Sequence, residues 1–110
     1  MSRILVTGAS GFLARHVTRR LLQDGHNVIG LDVGPPDDAC QEWVFADITR
    51  TLQGHHPVLR SLDAVVHLAA IANPGACDRD PTKAFDVNVN GTNQVLNMAL
   101  QSGAKKVVFS

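Results

Sequence analysis

TGASGFLA, residues 7–14, stands between two stretches of different character. Before it, Arg3 to Thr7 is a short apolar run that reads as a buried strand. After it, Gly11 to Asp24 reads as a helix, with Phe12, Val17, Leu21 and Leu22 as its apolar stripe and Gly25 as its stop. A strand that turns through glycines into a helix can receive a pyrophosphate, because the helix start offers unpaired amides and the positive end of its dipole. Gly8 permits the tight turn, Gly11 lets a phosphate come against the backbone, and Ala14 keeps the helix close to the sheet. The amides near Ser10, Phe12 and Leu13 are the expected donors. The spacing is GxxGxxA rather than GxGxxG, so the turn alone also fits a glycine-rich loop without a ligand.

The next strand narrows the choice. Asn27 to Asp32 (NVIGLD) ends in an acid about twenty residues beyond the turn, where a dinucleotide fold places the carboxylate that accepts both ribose hydroxyls. Such a carboxylate repels a 2′-phosphate, and no arginine follows it closely, so NAD is expected rather than NADP. The other reading of Asp32 is an exposed acid at a strand end. No Gly-Lys-Ser/Thr follows the glycines, which excludes a P-loop.

Further along, Trp43 to Ala46 and Ala64 to Leu68 read as strands three and four, and Lys106 to Ser110 as the fifth. The crossover at Gly34-Pro35-Pro36-Asp37-Asp38 has no room for a full helix. A short helix is expected between Thr49 and Ser61, against the interruptions of Gly54 and Pro57. Asp80-Pro81 opens a long helix, Asp as the cap and Pro in the first turn, and Gly103 ends it. Phe85, Val89, Leu96 and Leu100 make one apolar stripe on it. Ala84, Asn88, Gly91 and Val95 make another. Strands alternating with helices imply an α/β fold of the Rossmann, doubly wound type. The expected strand order is 3-2-1-4-5, with a ligand crevice at the carboxyl ends of strands 1 and 4. Residues 1–110 are then one partial NAD(P)-binding domain.

Ten basic and ten acidic residues cancel, so charge gives no argument for nucleic acid or an anionic membrane. The apolar run after Met1-Ser2-Arg3 is too short for a signal peptide or a membrane span, and a cytoplasmic setting is expected. Cys40 and Cys77 lie far apart without a CxxC spacing. They could form one disulfide, but with nothing marking secretion they read as free thiols. The five histidines have no zinc-site spacing, so no metal is expected. His67 reads as a core residue with satisfied partners rather than a catalytic group.

At this point the chain resembles the extended short-chain dehydrogenase/reductase family, the NAD-dependent epimerases and dehydratases. The resemblance rests on TGASGFLA at 7–14, Asp32, Asp47-Ile48, VVHLAA at 65–70 and NVNGT at 88–92, in the family's order and across essentially the whole chain. It implies that Asp47 bonds the adenine amino group with Ile48 beside the ring. Leu68, Ala69 and Ala70 then wall the ribose and pyrophosphate, and Ala72 lies near the nicotinamide. Asp47 has a second reading as the cap of the Thr49 segment, and Ala69 and Ala70 as close packing. Asn88 joins the cofactor-binding set as a residue supporting the backbone near the reacting groups, or else makes an ordinary buried hydrogen bond.

The family's chemistry resembles hydride transfer on a sugar, nucleotide sugar or related alcohol, with a tyrosine as acid/base and a lysine four residues later. This chain has no tyrosine, and its lysines, at 83, 105 and 106, fall in no Tyr-x-x-x-Lys pattern. Ser110 takes no catalytic role. The expectation is therefore the cofactor-binding portion of such an enzyme, truncated after strand 5 and inactive by itself. A dinucleotide-binding or redox-sensing module without chemistry is the competing reading. Strand 5 would present an apolar edge that self-association or further chain must cover.

Overall fold

The computed structural model describes residues 2–50, 59–69 and 78–109. Five strands pair in parallel: β1 (Arg3–Thr7), β2 (Asn27–Asp32), β3 (Glu42–Phe45), β4 (Ala64–His67) and β5 (Lys106–Phe109). Their order is β3-β2-β1-β4-β5, as expected from the alternation of elements. The register sets Thr7 beside both Leu31 and His67, and Asp32 beside Phe45. The carboxyl ends of β1, β2, β3 and β4 therefore finish at one level, which makes the crevice.

Each strand sends alternate residues to opposite faces, and both faces are covered. On one side Val6, Ala9, Ala14 and Val28 pack with Leu21, Leu22, Trp43 and Val66 under helix α1 (Phe12–Gln23). On the other, Leu5, Ile29, Leu31, Val44 and Val65 meet Val95, Met98 and Ala99 of a long helix. Leu5, Val6, Val28, Leu31 and Val65 are wholly buried, and each contributes about 1.5–3 kcal/mol of apolar transfer.

The long helix comprises α2 (Pro81–Phe85), a π-helical turn (Asp86–Gly91) and α3 (Thr92–Ser102). It begins as the sequence implies. The Asp80 carboxylate accepts the Lys83 amide at 3.0 Å, and Pro81 takes the first turn, where its missing N–H costs nothing. It ends at Gly103, left-handed at φ 82°. Its buried stripe is the small one: Ala84, Gly91 and Val95 are buried and Asn88 half-buried. Phe85 and Leu100 are exposed instead (61% and 78%), and so is Val89. Small side chains let the helix come close to its neighbours, as at Gly91, where a Cβ would lie 2.5 Å from Cδ1 of Ile48 in the segment after β3.

Helix α1 departs from expectation in the same way. Phe12 is 81% exposed, whereas Ala14 and Thr18 are buried. Phe12 and Ala14 are about 200° apart around the helix, so the turn that puts Ala14 on the sheet sends Phe12 to solvent. There its ring stands edge-on to His16 at 4.8 Å. The region between Thr49 and Ser61 lies mostly outside the described residues. No helix among the described residues is long and apolar enough to cross a membrane.

Candidate cofactor-binding site

A crevice of about 400 Å³ opens at the carboxyl ends of the strands. Gly8, Gly11, Asp32, Asp47, Ile48, Leu68 and Ala69 line it, all singled out from sequence, together with Lys83 and Val87, which were not.

The glycine turn is built by exclusion. Gly8 has φ +68°, and a Cβ on it would sit 2.7 Å from the Ala69 amide nitrogen and 2.8 Å from the Leu68 carbonyl carbon. The turn thus lies directly against the end of β4. Gly11 is different. Its φ is −76°, and a Cβ would meet only the Gly8 carbonyl oxygen at 3.2 Å. Gly11 is the N-cap of α1, and no side chain caps the helix. The first turn carries no acid. A capping side chain would typically contribute about 1 kcal/mol, so this helix start forgoes stability and leaves amides without side-chain partners at the mouth of the crevice.

Asp32 is held from three sides. Its Oδ2 accepts the Ser10 amide at 3.0 Å, and its Oδ1 accepts the amides of Val33 at 2.7 Å and Gly34 at 3.2 Å. The carboxylate is therefore fixed before any ligand arrives. The Ser10 amide is engaged by Asp32, and the Ser10 hydroxyl donates to the Pro35 carbonyl at 2.7 Å. Phe12 and Leu13 stand in the first turn, half or more exposed.

Asp47 makes a local turn with Thr49 and borders the crevice. Its Oδ1 accepts the Thr49 amide at 2.9 Å and the Thr49 hydroxyl at 2.7 Å, closing a local turn. These two bonds, backbone first, hold its carboxyl below the ordinary 3.8, with Arg50 and Lys83 adding smaller attractions. Its share of stability is present above that value and fades as pH falls below it. The residue is exposed and borders the crevice beside Ile48, which packs into the notch at Gly91.

Lys83 brings a cation to the Asp47 end. Sequence reading passed over it because it was weighed only as a lysine without a tyrosine partner. Its place one turn into a helix that starts at the crevice was the available signal. Asn88 does not line the crevice; its carbonyl accepts the Thr92 hydroxyl at 2.8 Å. Ala70 and Ala72 lie outside the described residues. Among the described residues no three His, Cys, Asp or Glu side chains gather as metal ligands.

Known proteins resemble this chain in sequence and fold. An uncharacterized protein of Mycobacterium tuberculosis is 34% identical over 110 residues, covering 98% of this chain and 12% of that protein. UDP-glucuronic acid decarboxylase 1 of Danio rerio is 30% identical, covering 98% and 27%. Among solved structures, UDP-glucose-4-epimerase from Stenotrophomonas maltophila, with bound NAD and formylated UDP-arabinopyranose, superposes with a TM-score of 0.82 at 28% identity. That match covers 99% of this chain and 36% of the other. The chain thus spans about a third or less of the lengths of these proteins. The sequence model of the NAD dependent epimerase/dehydratase family matches residues 4–110. By that match the chain belongs to the NAD-dependent epimerase/dehydratase family.

Proposed function

We propose that these residues are the NAD-binding portion of an enzyme that acts by hydride transfer on a sugar, nucleotide sugar or related alcohol. One observation carries the reading: an uncapped helix start and a carboxylate pre-fixed by three amides face the same crevice. The first fits a pyrophosphate and the second a ribose diol, the two polar parts of a dinucleotide. The size of the crevice is in the range of small-molecule sites.

Bound NAD would supply the hydride acceptor or donor. The chain's residues do the holding. Amides of Phe12 and Leu13 take the phosphates, and Gly11 gives them room. Asp32 accepts the ribose hydroxyls, and Ser10 keeps Asp32 turned toward them. Ile48 offers an apolar surface to the adenine, Asp47 an acceptor for its amino group, and Leu68 and Ala69 the wall beneath. The nucleotide sugars bound by relatives favour a substrate of that class.

Calorimetric titration with NAD and NADP tests the cofactor half. Asp32→Ala removes a charge-assisted acceptor worth about 1.5–3 kcal/mol, so NAD binding should weaken roughly tenfold or more while the preference over NADP narrows. Equal affinity for both cofactors in the unaltered chain would sink the assignment of Asp32. A second expectation concerns chemistry. A positioned acid/base contributes about 10²–10⁴-fold, and these 110 residues hold no tyrosine to serve as one. Residues 1–110 alone should therefore show no turnover with a panel of sugar and alcohol substrates. Measurable NADH formation would overturn this.

A further inference from the structure

Beneath the crevice wall runs a chain of hydrogen bonds that the proposed chemistry does not use. His67, at the end of β4, is buried at 6% exposure. Its Nδ1 lies 2.6 Å from Thr7 Oγ1 on β1, and its Nε2 lies 3.0 Å from Thr92 Oγ1 on α3. Both ends of the relay are anchored on backbone. The Thr92 hydroxyl donates to the Asn88 carbonyl at 2.8 Å. Thr7 Oγ1 accepts the amide of Leu68 at 3.1 Å, shared with the Thr7 carbonyl at 3.2 Å, and the amide of Ala69 at 3.2 Å.

These anchors settle where every proton sits. A carbonyl can only accept, so Thr92 spends its one proton on Asn88 and must accept from the ring. Nε2 therefore carries the imidazole proton. At the other end, two amides fill the lone pairs of Thr7 Oγ1, so its proton goes to the ring. Nδ1 therefore accepts. Two independent arguments give the same neutral tautomer, and every donor along the relay has an acceptor.

A second proton has no place in this arrangement. With N–H at Nδ1, Thr7 Oγ1 would face a third donor, and it could accept only by releasing the Ala69 amide or by leaving the Leu68 amide to the Thr7 carbonyl alone. Those two residues form the crevice wall, and the Gly8 turn is seated against the same atoms. Around the ring stand Thr7 from β1, Thr92 from α3 and, in register on β5, Phe109; none is charged. Burial is the one influence pushing the imidazole below its ordinary 6.5.

We propose that His67 is a positioning residue that ties the glycine turn to the π-helical turn of the long helix, and that its protonation loosens the crevice wall and releases the dinucleotide. The inference rests on the reading of the crevice as the NAD site. Its sign follows from linkage. A histidine that is neutral in the bound form supports binding above its titration midpoint, and that support is lost as pH falls through it.

The test is a pair of measurements on the same protein. Long-range ¹H–¹⁵N spectra of the histidine rings should report His67 with its proton on Nε2 at neutral pH. Calorimetry should find NAD bound about two- to fivefold more weakly near pH 5.5 than near pH 7.5, and His67→Gln, which cannot titrate, should lose most of that fall. If His67→Gln does not fold, reciprocity decides in the unaltered protein: saturating NAD must move the ring's midpoint about one pH unit lower. A ring protonated on Nδ1, or a midpoint indifferent to NAD, overturns the proposal. NAD binding that is present but equally pH-dependent in His67→Gln overturns it too. No NAD binding at any pH would overturn the cofactor reading, and this inference with it.

Discussion

Gly8→Ala should be the most damaging single substitution in the turn, lowering the melting temperature by about 10 °C or more and abolishing NAD binding. Two costs add. An alanine at φ +68° pays about 1–2 kcal/mol for a left-handed backbone. Its Cβ would also sit 2.7–2.9 Å from backbone atoms of Leu68 and Ala69, and backbone cannot swing aside as the tip of a side chain can. Forcing those elements apart typically adds about 1–3 kcal/mol, against a total stability of about 5–15 kcal/mol for a domain. For a chain of this length each kcal/mol moves the midpoint by about 4–8 °C. Gly25→Ala provides the control. Gly25 has φ +87° but nothing within 4 Å of the added methyl, so only the backbone cost applies. Thermal melts of the two variants by circular dichroism separate the terms. If Gly8→Ala melts no lower than Gly25→Ala, the contact between the turn and the end of β4 is not as close as described.

What could be read in the sequence was what the backbone demands locally. The glycine turn, the acid ending β2, the Asp80-Pro81 helix start and the Gly103 stop each answer one conformational or hydrogen-bonding requirement, and each residue type advertises its answer. The phase of the long helix could not be read that way. It carries two apolar stripes, one large (Phe85, Val89, Leu96, Leu100) and one small (Ala84, Asn88, Gly91, Val95). Counting hydrophobicity favours the first, yet the core accepts the second, because Ile48 fills the notch that Gly91 leaves. The π-helical turn also resets the phase between Phe85 and Thr92, so no single 3.6-residue period describes both halves. Phe12 misled for a related reason: burial in α1 follows close approach at Ala14 and Thr18 rather than side-chain size. Lys83 joined the crevice through tertiary placement, and its position one turn into the Asp80-Pro81 helix was the only hint of it in the sequence.

Gly11→Val separates binding from folding more sharply than any other change at the site, and its expected result is a loss of NAD affinity of at least about a hundredfold with a melt lowered by no more than about 8 °C. The backbone of Gly11 is ordinary, at φ −76°, so a branched residue meets no left-handed penalty there. Its Cβ would touch only the Gly8 carbonyl oxygen at 3.2 Å, a contact a small shift relieves. The N-cap itself offers little to lose, since glycine makes no side-chain cap, and replacing it with valine costs about 1 kcal/mol or less. The ligand fares differently. In the proposed site a phosphate would reach the amides of Phe12 and Leu13 by lying against the Gly11 backbone, and two methyl groups would occupy that path. Pushing the phosphate outward by a methyl's breadth stretches charge-assisted hydrogen bonds beyond useful length, and each contributes about 1.5–3 kcal/mol. Losing two of them accounts for the hundredfold. Calorimetry with NAD and a thermal melt on the same sample check both halves. Unchanged affinity would remove the pyrophosphate from this helix start. A collapsed melt would mean that Gly11 is kept for the fold and not for the ligand.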